Sequence, residues 1–196
     1  ATAETVAVFL MVREWLVKAL GRKAARRIAA VTSEDRGDLK ALAAAENYRT
    51  FHIPENVGGR FSVLSPAGLV PAALAGADVA RLCRGAAAMT KDCWRASLEE
   101  NPALRAALFH ILLCTKKKKP IQVAFPYSNR LWGAAFWFRQ LWAESLGKAR
   151  NRGGRKVNAG QTPVAALGAT DQHSQVQLYM EGPNDKAHTF WAVAAH

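Results

Sequence analysis

Apolar positions along the chain alternate between a helical and a strand-like period. Val6, Phe9, Leu10, Val12, Trp15, Leu16 and Leu20 follow helical spacing and are stopped by Gly21. Arg27 to Thr32 is a short β-like run, bounded by turn residues from Ser33 to Gly37. Asp38 is expected to cap a second helix over Leu39 to Glu46, and Tyr48 to Ile53 predicts a second strand stopped by Pro54. Further helices are predicted over 66–75 and 78–98, and behind the cap-and-proline pair Asn101-Pro102 as far as Cys114. Ile121 to Pro126 is the best buried-strand pattern. Ser128 or Asn129 is expected to cap a helix over Leu131 to Leu146, ended by Gly147. Val157 to Ala159 and Thr189 to Val193 read as short strands flanking a helix that begins near Asp171. This alternation predicts an α/β fold, a mainly parallel sheet with helices on both faces. A site is then expected at the carboxyl ends of the strands.

Composition narrows the function classes. The chain has 196 residues, half of them hydrophobic, enough to bury a core. With 27 Lys and Arg against 15 Asp and Glu, the net charge is +12, which permits nucleic-acid or acidic-ligand binding. Much of that charge sits at 116–119 and at Arg150, Arg152, Arg155 and Lys156, clusters that read as solvated loops. No nucleic-acid motif accompanies them, so no nucleic-acid partner is expected. The longest apolar runs, 103–114 and 131–138, fall short of the roughly 20 residues that span a bilayer, so no membrane partner is expected either. No basic region followed by an apolar stretch opens the chain, which makes the cytoplasm the expected location. There is no initial Met, and the chain begins inside an amphipathic pattern, as a fragment or processed chain would. Cys83, Cys93 and Cys114 form no CxxC pair and are expected to be buried small apolar residues.

Three places carry candidate chemistry. The helix over 131–146 is apolar around nearly its whole circumference, which predicts burial on most sides and makes its polar residues exceptional. Gln140, Glu144 and Lys148 recur at four-residue spacing and share one stripe. Either Glu144 and Lys148 form a surface ion pair worth about 0.3–0.5 kcal/mol, or the stripe faces a cleft. There, desolvation would raise the carboxylate pKa toward that of a general base. Gly58-Gly59-Arg60 lies between a strand and a helix; it is either a tight turn with an exposed arginine or a backbone that approaches a ligand beside an anion-holding guanidinium. His173 sits at a helix start, where it could cap, coordinate or shuttle protons.

These segments resemble one family, bacterial glucose-6-phosphate isomerase, also called phosphoglucose isomerase. The carriers are the run from Gly58 to Ser65, Phe138 to Lys148, Gly160 to Pro163, Gly168 to Gln175, and Glu181 to Lys186. Several long stretches in the family order tip the readings of Arg60, Glu144 and His173 toward chemistry. The resemblance implies interconversion of glucose 6-phosphate and fructose 6-phosphate through a cis-enediol, in glycolysis and gluconeogenesis, without metal or organic cofactor. It assigns Glu144 as base, Arg60 to the developing enediolate charge, and His173 to ring opening. Gln140 and Gly59 line the site, and Thr2 falls at the end of a phosphate-binding loop. It also implies a flavodoxin-like sugar-isomerase architecture. Residues 1–21 would form the helix that follows the phosphate loop of the first module, and 22–196 the second module. The expected partners are a sugar phosphate and a second copy of the chain, with His173 contributed across the dimer interface.

The departures are specific. Ala1 stands where the family has a hydroxyl residue, and Lys148 and Lys186 lie in other motifs, so neither is assigned as the family's active-site lysine. Two rival readings remain: a non-catalytic phosphosugar-binding domain, which needs no carboxylate on an apolar helix, and a nucleic-acid-binding protein, which the charge of +12 allows.

Overall fold

The computed structural model describes residues 3–193. They form two compact units that divide between Cys83 and Arg84. In the first, α1 (Ala3–Leu20) ends at Gly21, whose φ of +55° suits glycine, and passes through a 3-10 turn into β1 (Ala29–Thr32). Then follow α2 (Asp38–Ala45), β2 (Arg49–His52), a 3-10 turn over Gly59–Leu64, and α3 (Pro66–Leu74). Asp38 is the first residue of α2 rather than its cap: Gly37 holds the cap position, and no side chain caps it.

β1 and β2 pair in parallel, Ala29 opposite Arg49 and Thr32 opposite His52. Their core is Ala30, Ala43 and Tyr48, with Phe9, Leu39 and Leu42 packed against it. The two alanines, 3 % and 1 % exposed, let α2 lie close on β1. Arg13 of α1 donates from Nε to the Tyr48 hydroxyl at 2.9 Å and from Nη2 to Glu46 Oε1 at 2.8 Å. Phe9 and Arg13 thus bind α1 to the core of the first unit.

α4 (Val79–Cys93) stops short of the predicted Leu98, and the reason lies eight residues on. Asn101, 2 % exposed, donates from Nδ2 to the carbonyl oxygens of Cys93 and Arg95, both at 2.8 Å. Its Oδ1 accepts from Leu104 N–H at 3.0 Å and so caps α5 (Pro102–Thr115), as predicted. One buried amide closes one helix and opens the next. Cys83 and Cys93 are exposed and Cys114 half-buried, against the expected burial; the first two sit on α4, none of whose residues is buried.

The second unit continues with β3 (Ile121–Pro126), α6 (Trp132–Leu146), β4 (Lys148–Arg150), β5 (Lys156–Ala159), β6 (Thr162–Ala165), α7 (Thr170–Glu181) and β7 (Lys186–Trp191). Its sheet has the order β6-β3-β7 and is wholly parallel, with Ile121 opposite both Thr162 and Lys186. β4 and β5 pair antiparallel in a separate ribbon. The one parallel sheet expected is therefore two, one per unit. β3 is buried from Gln122 to Pro126, as a central parallel strand should be. Its alternate residues Val123 and Phe125 face Tyr179 of α7, while Gln122 faces His110 of α5. The His110 ring meets Trp142 of α6 at 5.0 Å, so helices cover both faces, as predicted.

β6 was not expected, because Pro163 interrupts it. The N–H groups of Thr162 and Ala166 bond to Pro120 and Ala124 carbonyls along β3, so the residue between them that lacks an N–H faces the outer edge, where it costs no ladder bond. No described helix is long and apolar enough to cross a membrane.

Candidate functional site

Ser128 Oγ accepts from Arg130 N–H and opens a 3-10 turn that runs into α6. Only Ala135 of α6 is buried, while Phe136, Trp137 and Leu146 are about two-fifths exposed. The predicted burial on most sides is not found among the described residues, because α6 lies on the sheet with one side only. That side is anchored by a polar chain. Trp142 Nε1 donates to Gln161 Oε1 at 3.0 Å, and Gln161 Nε2 donates to the His110 carbonyl at 3.2 Å. Gln122 Nε2 donates to Lys119 O at 3.1 Å, which turns its Oε1 toward His110 Nδ1 at 2.7 Å. With the amide oriented in this way, Nδ1 carries the His110 proton.

Two residues from Trp142, and so about 200° around the helix, lie Gln140 and Glu144 on the exposed side. Gln140 Nε2 donates to Glu144 Oε1 at 3.0 Å. The helix ends at Leu146, so Lys148 leaves the expected stripe; its ammonium donates to the backbone carbonyls of Glu144 and Gly147, both at 3.2 Å. Because Glu144 is exposed, the desolvating cleft expected around it is not formed within this unit.

Chain direction separates Glu144 from His173. α6 starts beyond the carboxyl end of β3 and runs back along the sheet. Glu144, twelve residues after Trp132, is therefore about 18 Å down the helix. There Trp142 is bonded to Gln161, the residue before β6 begins. Glu144 thus lies at the amino end of the strands. α7 starts at the other end, where Gly168 N–H bonds to Pro126 O. His173 lies in its first turn, exposed, with its N–H on Ala169 O at 3.1 Å. His173 thus lies at the carboxyl ends of the strands, where the site is expected, and Glu144 at their amino ends.

The turn before α7 is closely tied. Leu167 N–H donates to Asp171 Oδ2, and Asp171 N–H donates to Leu167 O, both at 2.7 Å. The Tyr127 hydroxyl donates to Gln172 Oε1. Behind it, Lys119, Tyr179, Lys186 and His188 help line a cavity of about 380 Å³ between α7 and β7. Burial raises the Tyr179 pKa, and the Asp171 carboxylate adds to that rise. Burial also lowers the His188 pKa, assisted by Lys186 and Lys119. Tyr127, Asp171 and Gln172 were not singled out as individual residues from the sequence; the first bears no signal beyond following a strand.

Arg60 belongs to the first unit, on the 3-10 turn closed by Ser62 Oγ to Gly59 O at 2.6 Å. It is half-buried, its guanidinium 4.6 Å from the Phe61 ring centroid. A side chain at Gly59 would meet open space, so crowding does not require that glycine. Thr2 lies outside the described residues. Within the second unit the structure joins Gln140 to Glu144 and keeps both apart from His173. No group of three or more His, Cys, Asp or Glu among the described residues is arranged to hold a metal ion.

A glucose-6-phosphate isomerase of Carboxydothermus hydrogenoformans is 49 % identical over 193 residues, covering 98 % of this chain and 41 % of that protein. The crystal structure of a hypothetical protein from Thermus thermophilus superposes with a TM-score of 0.87 at 44 % identity, over 96 % of this chain and 44 % of its own. That of a glucose-6-phosphate isomerase from Chlamydia trachomatis gives 0.83 at 26 % identity, over 97 % and 37 %. The chain spans about two-fifths of the length of these relatives. The family described as Phosphoglucose isomerase matches residues 1–193, and with that match across both units the chain belongs to the phosphoglucose isomerase family.

Proposed function

We propose that this chain carries part of an aldose–ketose isomerase that interconverts glucose 6-phosphate and fructose 6-phosphate. The observation that carries the reading is the bond from Gln140 to Glu144: a neutral amide holds a carboxylate in one orientation on the exposed side of α6. The names of the relatives supply the substrate class.

In this reading Glu144 removes the proton from C2 of the open-chain aldose. The C–H electrons form the C1–C2 double bond, and the carbonyl π electrons move to the C1 oxygen. Arg60 stabilises that oxyanion, and Gln140 holds the base still. The C2 hydroxyl proton passes to the C1 oxygen, the electrons left on the C2 oxygen form the new carbonyl, and the C1–C2 π electrons take the proton back from Glu144 at C1, which gives the ketose. His173 assists ring opening by proton transfer at the ring oxygen and hydroxyl. Since Glu144 and His173 lie at opposite ends of one sheet, we assign the His173 of a given site to a second copy. We place the second sugar-isomerase module on residues 22–196, with residues 1–21 as the helix that follows the phosphate loop of the first. The cytoplasmic setting belongs to the same reading.

The test is deuterium incorporation at C2 of glucose 6-phosphate in heavy water, followed by NMR with this chain and with Glu144→Gln. Exchange by the parent and its loss in the variant support the assignment. Equal exchange in both sinks the base role, and phosphosugar binding without exchange by the parent favours a non-catalytic binding domain.

A further inference from the structure

We infer that Tyr127 is a positioning residue for His173, acting through the turn that opens α7. The inference rests on the reading of His173 as the ring-opening acid–base and adds a residue to it.

Tyr127 is the first residue past β3, and the sheet fixes its backbone: its N–H donates to Trp191 O at 2.9 Å. The ring stacks on Phe125 at 5.6 Å and leans on Phe190 at 6.0 Å. Its face lies over Gly168, where a Cβ would come within 2.7 Å of ring carbons. Only glycine leaves room for that contact. Gly168 is held from its other side by its own N–H on Pro126 O at 2.9 Å, so residue 168 is caught between sheet and ring. The Tyr127 hydroxyl then reaches Gln172 Oε1, in the first turn of α7 and next to His173. Asp171 closes the turn from within by its bond to Leu167 N–H. His173 is tied to this assembly through its N–H on Ala169 O, and its imidazole is exposed.

Ring and hydroxyl do separable work. A phenylalanine would still cover Gly168, whereas only tyrosine also fastens Gln172.

Two variants test the inference in this chain. Tyr127→Phe removes one oxygen and keeps the packing; Gly168→Ala drives the ring away. In each, amide hydrogen exchange at His173 should quicken roughly tenfold while Val123 stays protected, and the His173 ring resonances should move. If the chain catalyses exchange at C2, kcat should fall with KM unchanged, as expected of a residue that acts through His173 and not on the substrate. Unaltered exchange and unaltered His173 resonances in both variants would overturn the inference. Should Gly168→Ala fail to fold, Tyr127→Phe decides alone. Loosening of His173 with kcat unchanged, in a chain that exchanges at C2, would overturn the inference and leave the proposed function standing.

Discussion

Glu144 and His173 stand at opposite ends of the three-stranded sheet, the first beside the start of β6 and the second just past the end of β3. On the proposed reading, a site that uses both draws them from two copies. Mixing Glu144→Gln chains with His173→Ala chains should regenerate activity that neither has alone. In a two-fold dimer, half of the randomly paired molecules are hybrids, each with one intact site, so roughly a quarter of parental turnover is expected. Failure of the mixture to exceed the separate variants would refute sharing between copies.

The Gln140 amide donates to a carboxylate, the stronger class of hydrogen bond, though here in an exposed setting. Gln140→Leu should lower turnover roughly tenfold at nearly constant KM, because the base loses the donor that orients it. A steady-state comparison at saturating substrate checks this, and a change confined to KM would point to substrate contact instead.

Asn101 satisfies three backbone groups from a buried position. Asn101→Ala should cost about 2–3 kcal/mol, combining a lost cap with two carbonyls left without donors. Asn101→Asp keeps the cap acceptor but turns a buried carboxylate oxygen toward the Cys93 and Arg95 carbonyl oxygens, so its urea midpoint should fall no higher than that of the alanine variant.

His188 encloses an Nε2 that has no hydrogen-bond partner, and burial lowers its pKa below the ordinary 6.5, with Lys186 and Lys119 adding to the effect. The unfolded chain therefore binds this proton more readily than the folded one. Stability is complete above pH 6.5 and declines as the pH falls from there through the lowered folded value. Unfolding midpoints recorded from pH 7.5 to 5 should show that decline, and His188→Phe should flatten it; an equal decline in the variant assigns the effect elsewhere.

Local signals in the sequence account for most of the elements. Gly21, the Asn101-Pro102 pair, the apolar run 121–126 and Gly147 each act within a few residues of themselves, and each marks the boundary expected of it. The failures follow from what is not local. Pro163 argues against a strand unless the strand is known to lie at an edge, and β4, Lys-Ala-Arg, is exposed throughout and has no apolar pattern to detect. α4 ends where a side chain eight residues later takes its carbonyl. The same division runs through the site. Gln140 and Glu144 announce themselves by helical spacing, whereas Tyr127 meets Gln172 across 45 residues of chain and is found only by folding it.

Pro163 also gives the sheet of the second unit a polarity. With no N–H at that point on the outer rim of β6, an incoming strand would find a gap in the donors it needs to dock there. The rim of β7 carries no such gap, since Lys186–Trp191 contains no proline. A strand that lengthens this sheet, whether from more of the same polypeptide or from another molecule, therefore finds the fuller row of donors beside β7.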